Sequence, residues 1–200
     1  MKSNYETIIQ DNLHQLFSDD LDVRAAAMGA ERTGRSLHLR AFGLPCRMTP
    51  DGIFLSEHPQ TGPMGIILSL YALNAFPDPF QLEPFKAFKE IPDSMPYVGA
   101  FASHTEQILV PGADKIMNDT QKIVESLDGQ PAPSQVGGDA AFVVRPLPKI
   151  ALCYIFYAAD EDFPASATCL YSANAHRHMP VDGLADVGEY TSRTILDLIT

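Results

Sequence analysis

The spacing of hydrophobic residues predicts helices at both ends of the chain and in its middle. Hydrophobic side chains recur close to the 3.6-residue period of a helix in most of these segments. The segment around 64–75 is instead hydrophobic on nearly all sides, so we expect a buried helix there. Three residues suit helix starts: Asp20, Pro63 and Asp182. The predicted helices span residues 5–17, 23–28, 64–75, 116–127 and 183–198.

Short alternating or continuously hydrophobic runs predict strands between these helices. One group covers residues 36–42, 44–49 and 53–55, and a second covers 139–145, 150–157 and 168–171. The run Ile150–Tyr157 is hydrophobic throughout, which is typical of a central strand. The fold class is therefore α+β, with small antiparallel sheet elements near 36–55 and 139–171 packed with about five helices. We expect one domain over residues 1–200, with helices in 3–30 as an extension packed on its body.

Residues 77–100 are rich in proline and aromatic residues, and we interpret them as an ordered loop packed on the body. Their aromatic side chains can wall a pocket for a flat ligand or pin the loop to the core, and pinning is the favoured reading.

Charge and cysteine content restrict the partners and the compartment. The chain has 14 Lys and Arg against 25 Asp and Glu, a net charge of −11, with no basic run. Nucleic acid and anionic membrane surfaces are therefore not expected partners. The longest hydrophobic stretch is too short to span a bilayer, and the first residues lack a secretion signal. With three irregularly spaced cysteines, these features favour a reduced, cytoplasmic protein.

The best candidate for chemistry lies between the last strands and the last helix. Asp160, Glu161 and Asp162 directly follow the predicted central strand, and Asn174, His176 and His178 follow soon after. If these stretches meet, the six residues form a ligand site; His176, His178 and Asp160 could hold a metal, with Glu161 as general base. The alternative, which such residue types favour, is an acidic turn and two surface histidines.

Two other residues could contribute. His104 could join that site, although a helix start capped by Ser103 or Thr105 explains it better. Cys169 could be a nucleophile beside His176 or His178, but a half-buried thiol is the favoured reading.

Several stretches form a distinctive set when taken together: Leu39–Cys46, the hydrophobic helix after Pro63, Gly137–Phe142, Leu147–Ile150, Ala159–Pro164, Leu170–His176 and Pro180 before the final helix. In this order they resemble the domain of unknown function 3786 family of anaerobic bacteria and archaea. The resemblance implies company with corrinoid or iron–sulfur metabolism, since members also occur behind a four-cysteine iron–sulfur domain that this chain lacks. It implies no cofactor, activity or catalytic residue.

Three functional hypotheses remain open. The leading one is an accessory protein, without catalysis, that binds a small ligand, a cofactor or a partner protein in anaerobic metabolism. The second is a metal-assisted hydrolase using the cluster at 160–178. The third is a purely structural or interaction protein with an acidic docking face. The sequence leaves the oligomeric state and the cofactor, if any, undefined.

Overall fold

A computed structural model describes residues 3–200. The chain opens with helices α1 (Asn4–Ser18) and α2 (Leu21–Met28). Ser3 caps α1 reciprocally with Glu6, and the Asp20 carboxylate caps α2 by accepting from the amides of Asp22 and Val23.

The first sheet is an antiparallel meander in strand order β1-β2-β3-β4-β5. Its strands are β1 (Glu31–Thr33), β2 (Ser36–Ala41), β3 (Leu44–Thr49), β4 (Gly52–Leu55) and β5 (His58–Pro59). The three middle strands match the sequence prediction. The outer two were not predicted, because two or three residues are too few to show a period of two. Phe42 and Gly43 form the β2–β3 turn, both with positive φ.

Helix α3 (Pro63–Asn74) is the buried helix that the sequence predicts. Proline occupies its first position, as expected, and Ile67, Leu68 and Tyr71 are fully buried. It packs against α1, where the Asn12 amide donates to the Ser69 hydroxyl at 2.9 Å.

The second sheet is antiparallel in the order β6-β10-β9-β8-β7. Its strands are β6 (Lys86–Ala87), β7 (Gln130–Pro131), β8 (Ala140–Leu147), β9 (Ile150–Tyr157) and β10 (Ser166–Tyr171). The predicted central position of the Ile150–Tyr157 strand is confirmed, since β9 pairs with β8 and β10. A register shift between Val144 and Leu147 interrupts β8.

Residues 98–126 wind through helical geometries that the sequence analysis did not resolve. Helix α4 (Val98–Phe101) passes into a π-helical turn (Ala102–Glu106) and a 3-10 segment (Gln107–Gly112). Helices α5 (Ala113–Asn118) and α6 (Thr120–Ser126) follow.

The prediction of one continuous helix over 116–127 is wrong, because the chain leaves helical geometry at Asp119. The Thr120 hydroxyl donates to the carbonyls of Ile116 and Met117 at this break. Such local side-chain bonds compete with the helical ladder.

The last helix, α7 (Val181–Ile199), begins earlier than predicted. The Pro180 carbonyl accepts from the Leu184 amide at 2.9 Å, so Pro180 is the capping position. Asp182 is therefore not the cap; it lies in the first turn, where its charge suits the helix dipole.

Hydrophobic side chains from α1, α3, α7 and both sheets form one main buried cluster. The sheets meet where the Phe42 amide donates to the Pro146 carbonyl at 2.7 Å. The fold class is α+β, as predicted from the sequence. Among residues 3–200, the helices are all too short or too polar to cross a membrane.

Candidate functional site

Asp160, Glu161 and Asp162 lie on the tip of the β9–β10 hairpin. This hairpin tip (residues 158–165) is closed by Asp160, whose Oδ1 accepts from the amides of Asp162 and Phe163 at 2.8 and 2.7 Å. The Asp160 amide also donates to the Phe163 carbonyl at 2.9 Å. The three acidic residues are exposed, and Phe163 is 70% exposed. The tip is thus a self-capped surface turn that carries an aromatic ring.

Asn174, His176 and His178 lie at the other end of the same hairpin. Ser166 pairs with Tyr157 next to the tip, and Tyr171 pairs with Leu152 at the far end of β10. Six strand residues separate the two ends by roughly 20 Å. The condition for a joint ligand site, that residues 160–162 meet residues 174–178, is therefore not fulfilled, since β10 lies between them.

Asn174 is a buried side chain that holds a neighbouring loop. We call residues 76–82, which follow α3 and cross the second sheet, the strap. The Asn174 Oδ1 accepts from the Gln81 amide at 3.1 Å, and its Nδ2 donates to the Pro79 carbonyl at 2.9 Å. Asn174, which the sequence analysis proposed as a ligand-binding residue, thus uses both polar atoms of its side chain in hydrogen bonds to the strap backbone.

His178 is fully buried beneath the strap. Its Nδ1 accepts from the Phe76 amide at 3.4 Å, so the ring is neutral, with its proton on Nε2. Nε2 has no hydrogen-bond partner within residues 3–200. Burial, together with the positive charge of Lys149, lowers the pKa of His178 to about 4.

Two cations complete the attachment of the strap. The buried Lys149 ammonium donates to the carbonyls of Phe76 and Asp78 at 3.1 and 2.9 Å. Arg177 pairs with the Asp78 carboxylate and lies over the Phe76 ring, 4.6 Å from its centroid. These contacts explain why a proline-rich segment is ordered.

His176 lies apart from His178 because residues Ala175–Arg177 form a 3-10 turn. Residues two apart share a face only in extended chain, so the imidazoles do not form a pair. Burial, then the charges of Lys86 and Arg177, lowers the pKa of His176. The described residues bring no three His, Cys, Asp or Glu side chains together as a metal site. The metal set His176, His178 and Asp160 is therefore not assembled.

The other two candidates also have structural surroundings. Cys169 is fully rather than half buried, and burial raises the pKa of its thiol well above the usual range. His104 lies within the π-helical turn and contacts Glu189 at 3.2 Å, so its predicted place at a capped helix start is wrong. The hydrophobic pattern of residues 102–106 gives no signal from which a π-helical turn could be predicted.

The aromatic residues of the 76–101 stretch divide between core and surface. Phe88 and Phe101 are buried and stacked at 4.2 Å, which fits pinning to the core. Phe80 and Phe85 cover Val143, Ala151 and Cys153 on the outer face of the second sheet. Phe76, Met95 and Tyr97 are exposed.

Sequence analysis missed the role of three charged residues around the strap: Asp78, Arg145 and Lys149. Arg145 stacks over the Phe80 ring, 4.3 Å from its centroid. Their partners are 65 to 99 positions away in the chain, so the local sequence pattern carries no signal for them.

Comparison with protein families now places the chain. The model of a domain of unknown function (DUF3786) matches residues 20–194. The chain belongs to the DUF3786 family. Comparisons with curated proteins and with solved structures give no significant match. Within this DUF3786 chain, the matched range includes both sheets, the strap and the hairpin tip.

Proposed function

We propose that this DUF3786 protein is a docking module that binds a basic partner protein through its hairpin tip. The observation that carries the proposal is the exposure of Phe163 on a turn that Asp160 closes with its own carboxylate. A phenyl ring left 70% in water gains free energy when a partner covers it.

Rigidity supports docking rather than a disordered tip. Asp160 is bonded to two residues, Asp162 and Phe163, through two side-chain hydrogen bonds and one backbone hydrogen bond. Less conformational entropy is then lost when a partner binds. Aromatic residues at the centre of an interface are frequent binding hot spots.

The charge around Phe163 defines the partner. Glu161 and Asp162 are exposed and have no ion-pair partner in the described part of the chain. The whole chain carries −11. The fitting surface is an apolar pocket for one phenyl ring, rimmed by Lys and Arg, and the opposite charges would steer association.

The cellular setting belongs to the same proposal. Cys46, Cys153 and Cys169 are all free thiols, which supports a reduced cytoplasm. The family resemblance supports a partner from anaerobic corrinoid or iron–sulfur metabolism. A single small-ligand site formed by residues 160–162 and 174–178 together is not part of this proposal, because β10 separates these two groups.

Site-specific photocrosslinking in cells of the source organism tests the docking. A photoreactive phenylalanine replaces Phe163, and a matched variant carries it at Val23, an exposed apolar position on α2. The expected result is one adduct at position 163 whose crosslinked peptide lies beside Lys or Arg. It should be lost in the Glu161→Gln/Asp162→Asn background and weaken with salt.

Two results would contradict the proposal. One is equal adduct formation at positions 163 and 23; the other is an adduct that salt and charge removal leave unchanged. Thermal unfolding serves as the folding control, because Phe163→Ala should change stability by less than about 0.5 kcal/mol.

A further inference from the structure

A pocket of about 320 Å³ lies at the junction of the two sheets. Arg40 of β2 and Arg145 of β8 line it, together with Gly29 after α2, Asp128 after α6 and Pro148 in the β8–β9 turn. Junctions between packed units are common places for small-molecule sites, and this volume has room for a small ligand.

Arg145 is available to a ligand. Its backbone amide donates to the Leu127 carbonyl at 3.0 Å, where the register shift interrupts β8. Such irregularities often redirect a side chain next to a functional site. Its guanidinium stacks on Phe80, yet residues 3–200 provide it with neither a carboxylate nor a hydrogen-bond acceptor. The stacking fixes the plane of a cation whose N–H donors remain unused.

Arg40 and Asp128 form the other wall. The Arg40 Nε donates to both Asp128 oxygens at 2.9 and 2.8 Å, and its Nη2 donates to the Gly43 carbonyl, which leaves Nη1 for a ligand. The Arg40 side chain is 56% exposed. The pocket therefore presents two guanidinium groups and one carboxylate. A carboxylate has about four acceptor positions, so Asp128 can accept a further hydrogen bond.

This set of groups selects among anions. Two arginines favour an oxyanion, and guanidinium groups match phosphate geometry. A fully deprotonated anion would meet the negative charge of Asp128. A monoprotonated phosphate can donate its P–OH to that carboxylate, whereas sulfate has no proton to donate near neutral pH.

We infer that this pocket binds inorganic phosphate, in its monoprotonated form, between Arg145 and Arg40. The Asp128 carboxylate accepts a hydrogen bond from the P–OH group, and it repels sulfate, which has no such group. This site is independent of the hairpin tip. The pocket lies beside the β8–β9 turn, whereas the hairpin tip connects β9 and β10.

Nuclear magnetic resonance titration with inorganic phosphate at constant ionic strength tests the inference. Saturable shifts of the Arg145 and Arg40 Nε–H signals and the Gly29 amide are expected, with a dissociation constant of about 1 mM or tighter. Sulfate should bind at least tenfold more weakly. Glycerol 3-phosphate, tested in parallel, should bind more weakly than inorganic phosphate, because a monoester with a second pKa of about 6 is left with no P–OH to donate to Asp128 near neutral pH.

Variants connect the binding to the residues. Arg145→Gln should weaken phosphate binding tenfold or more, and Phe80→Leu severalfold, since it removes the stacking but keeps the charge. Arg35→Gln removes the same charge from an exposed turn and should leave affinity within twofold. Arg40→Gln replaces Arg145→Gln if circular dichroism shows that the latter does not fold.

The inference is overturned if phosphate gives no saturable shift at these signals. It is equally overturned if Arg145→Gln and Arg35→Gln weaken binding alike, which indicates general charge attraction, or if sulfate binds as well as phosphate.

Discussion

At the scale of single residues, His178 shows how burial converts a candidate ligand into a structural part. Its neutral ring accepts a hydrogen bond from the Phe76 amide and lies near the Lys149 ammonium. Protonation would place a second positive charge in the same buried space and remove the acceptor. The neutral form is therefore a condition for the folded strap.

This condition predicts an acid-sensitive stability. The folded-state pKa of His178 is about 4, below the value of 6.5 expected in the unfolded chain, so protons bind the unfolded state first. The stabilisation is present above pH 6.5 and is lost as the pH falls towards 4. Between pH 7 and pH 5 it should amount to about 2 kcal/mol.

Urea unfolding at both pH values measures this term. Between pH 7 and pH 5, the free energy of unfolding should fall by about 2 kcal/mol less in His178→Gln than in the natural chain. His14→Gln, at an exposed position on α1, is the control and should behave as the natural chain does. An equal pH dependence in His178→Gln would refute the assignment.

Gly43 gives a second prediction at this scale. Its φ is +77°, and an added Cβ would lie 1.9 Å from the Ser126 carbonyl oxygen. Gly34 has a similar φ of +61° but open space around it. Gly34→Ala should therefore cost about 1 kcal/mol for the left-handed backbone alone, and Gly43→Ala about 3 kcal/mol or more.

Chemical unfolding of the two alanine variants separates backbone strain from steric overlap. Similar losses of stability would mean that α6 does not approach the β2–β3 turn as closely as described.

At the scale of elements, the strap depends on side chains from distant parts of the chain. Asn174 provides two of its hydrogen bonds. Asn174→Ala should cost about 2 kcal/mol, because the Gln81 amide and Pro79 carbonyl lose their partner. Faster hydrogen exchange at the Gln81 amide should accompany the loss.

Asn74→Ala is the matched control, since Asn74 is exposed and bonds only within its own helix. It should leave Gln81 exchange unchanged. If both variants exchange alike at Gln81, Asn174 does not hold the strap.

Most regular elements could be predicted because their hydrophobic period is local. Helices α1 and α2 and the strands from β2 to β4 show such a period. Helix α3 and the strands from β8 to β10 were predicted instead from hydrophobic runs, which are equally local. The π-helical turn, the break at Asp119 and the two-residue strands could not, since they depend on packing or on one hydrogen bond. Whether the candidate site assembles could not be predicted for a related reason: nearness along the chain does not give nearness in space, and β10 separates the two groups.

At the scale of the whole molecule, the charge of −11 opposes folding through self-repulsion. The ion pairs are mostly exposed and contribute little. Added NaCl should therefore raise the melting temperature at pH 7.5. The increase should vanish near pH 4.8, the isoelectric point of the sequence, where repulsion disappears.

Scanning calorimetry at low and moderate salt measures both conditions. A melting temperature that falls with salt at pH 7.5 would mean that the ion pairs outweigh the repulsion.

The edges of the second sheet have a consequence for behaviour at high concentration. The two edge strands of this sheet, β6 and β7, are each two residues long. Two amides of β10 and β8 that these short strands leave unpaired have other partners: the Cys169 amide donates to Glu106 Oε1 at 2.9 Å, and the Arg145 amide donates to the Leu127 carbonyl. A long strand with free amides is the usual template for fibril growth. Strands β8 and β10 expose few free amides of this kind, which protects the folded chain against aggregation by strand addition. Loss of the Glu106 carboxylate would free the Cys169 amide for such pairing.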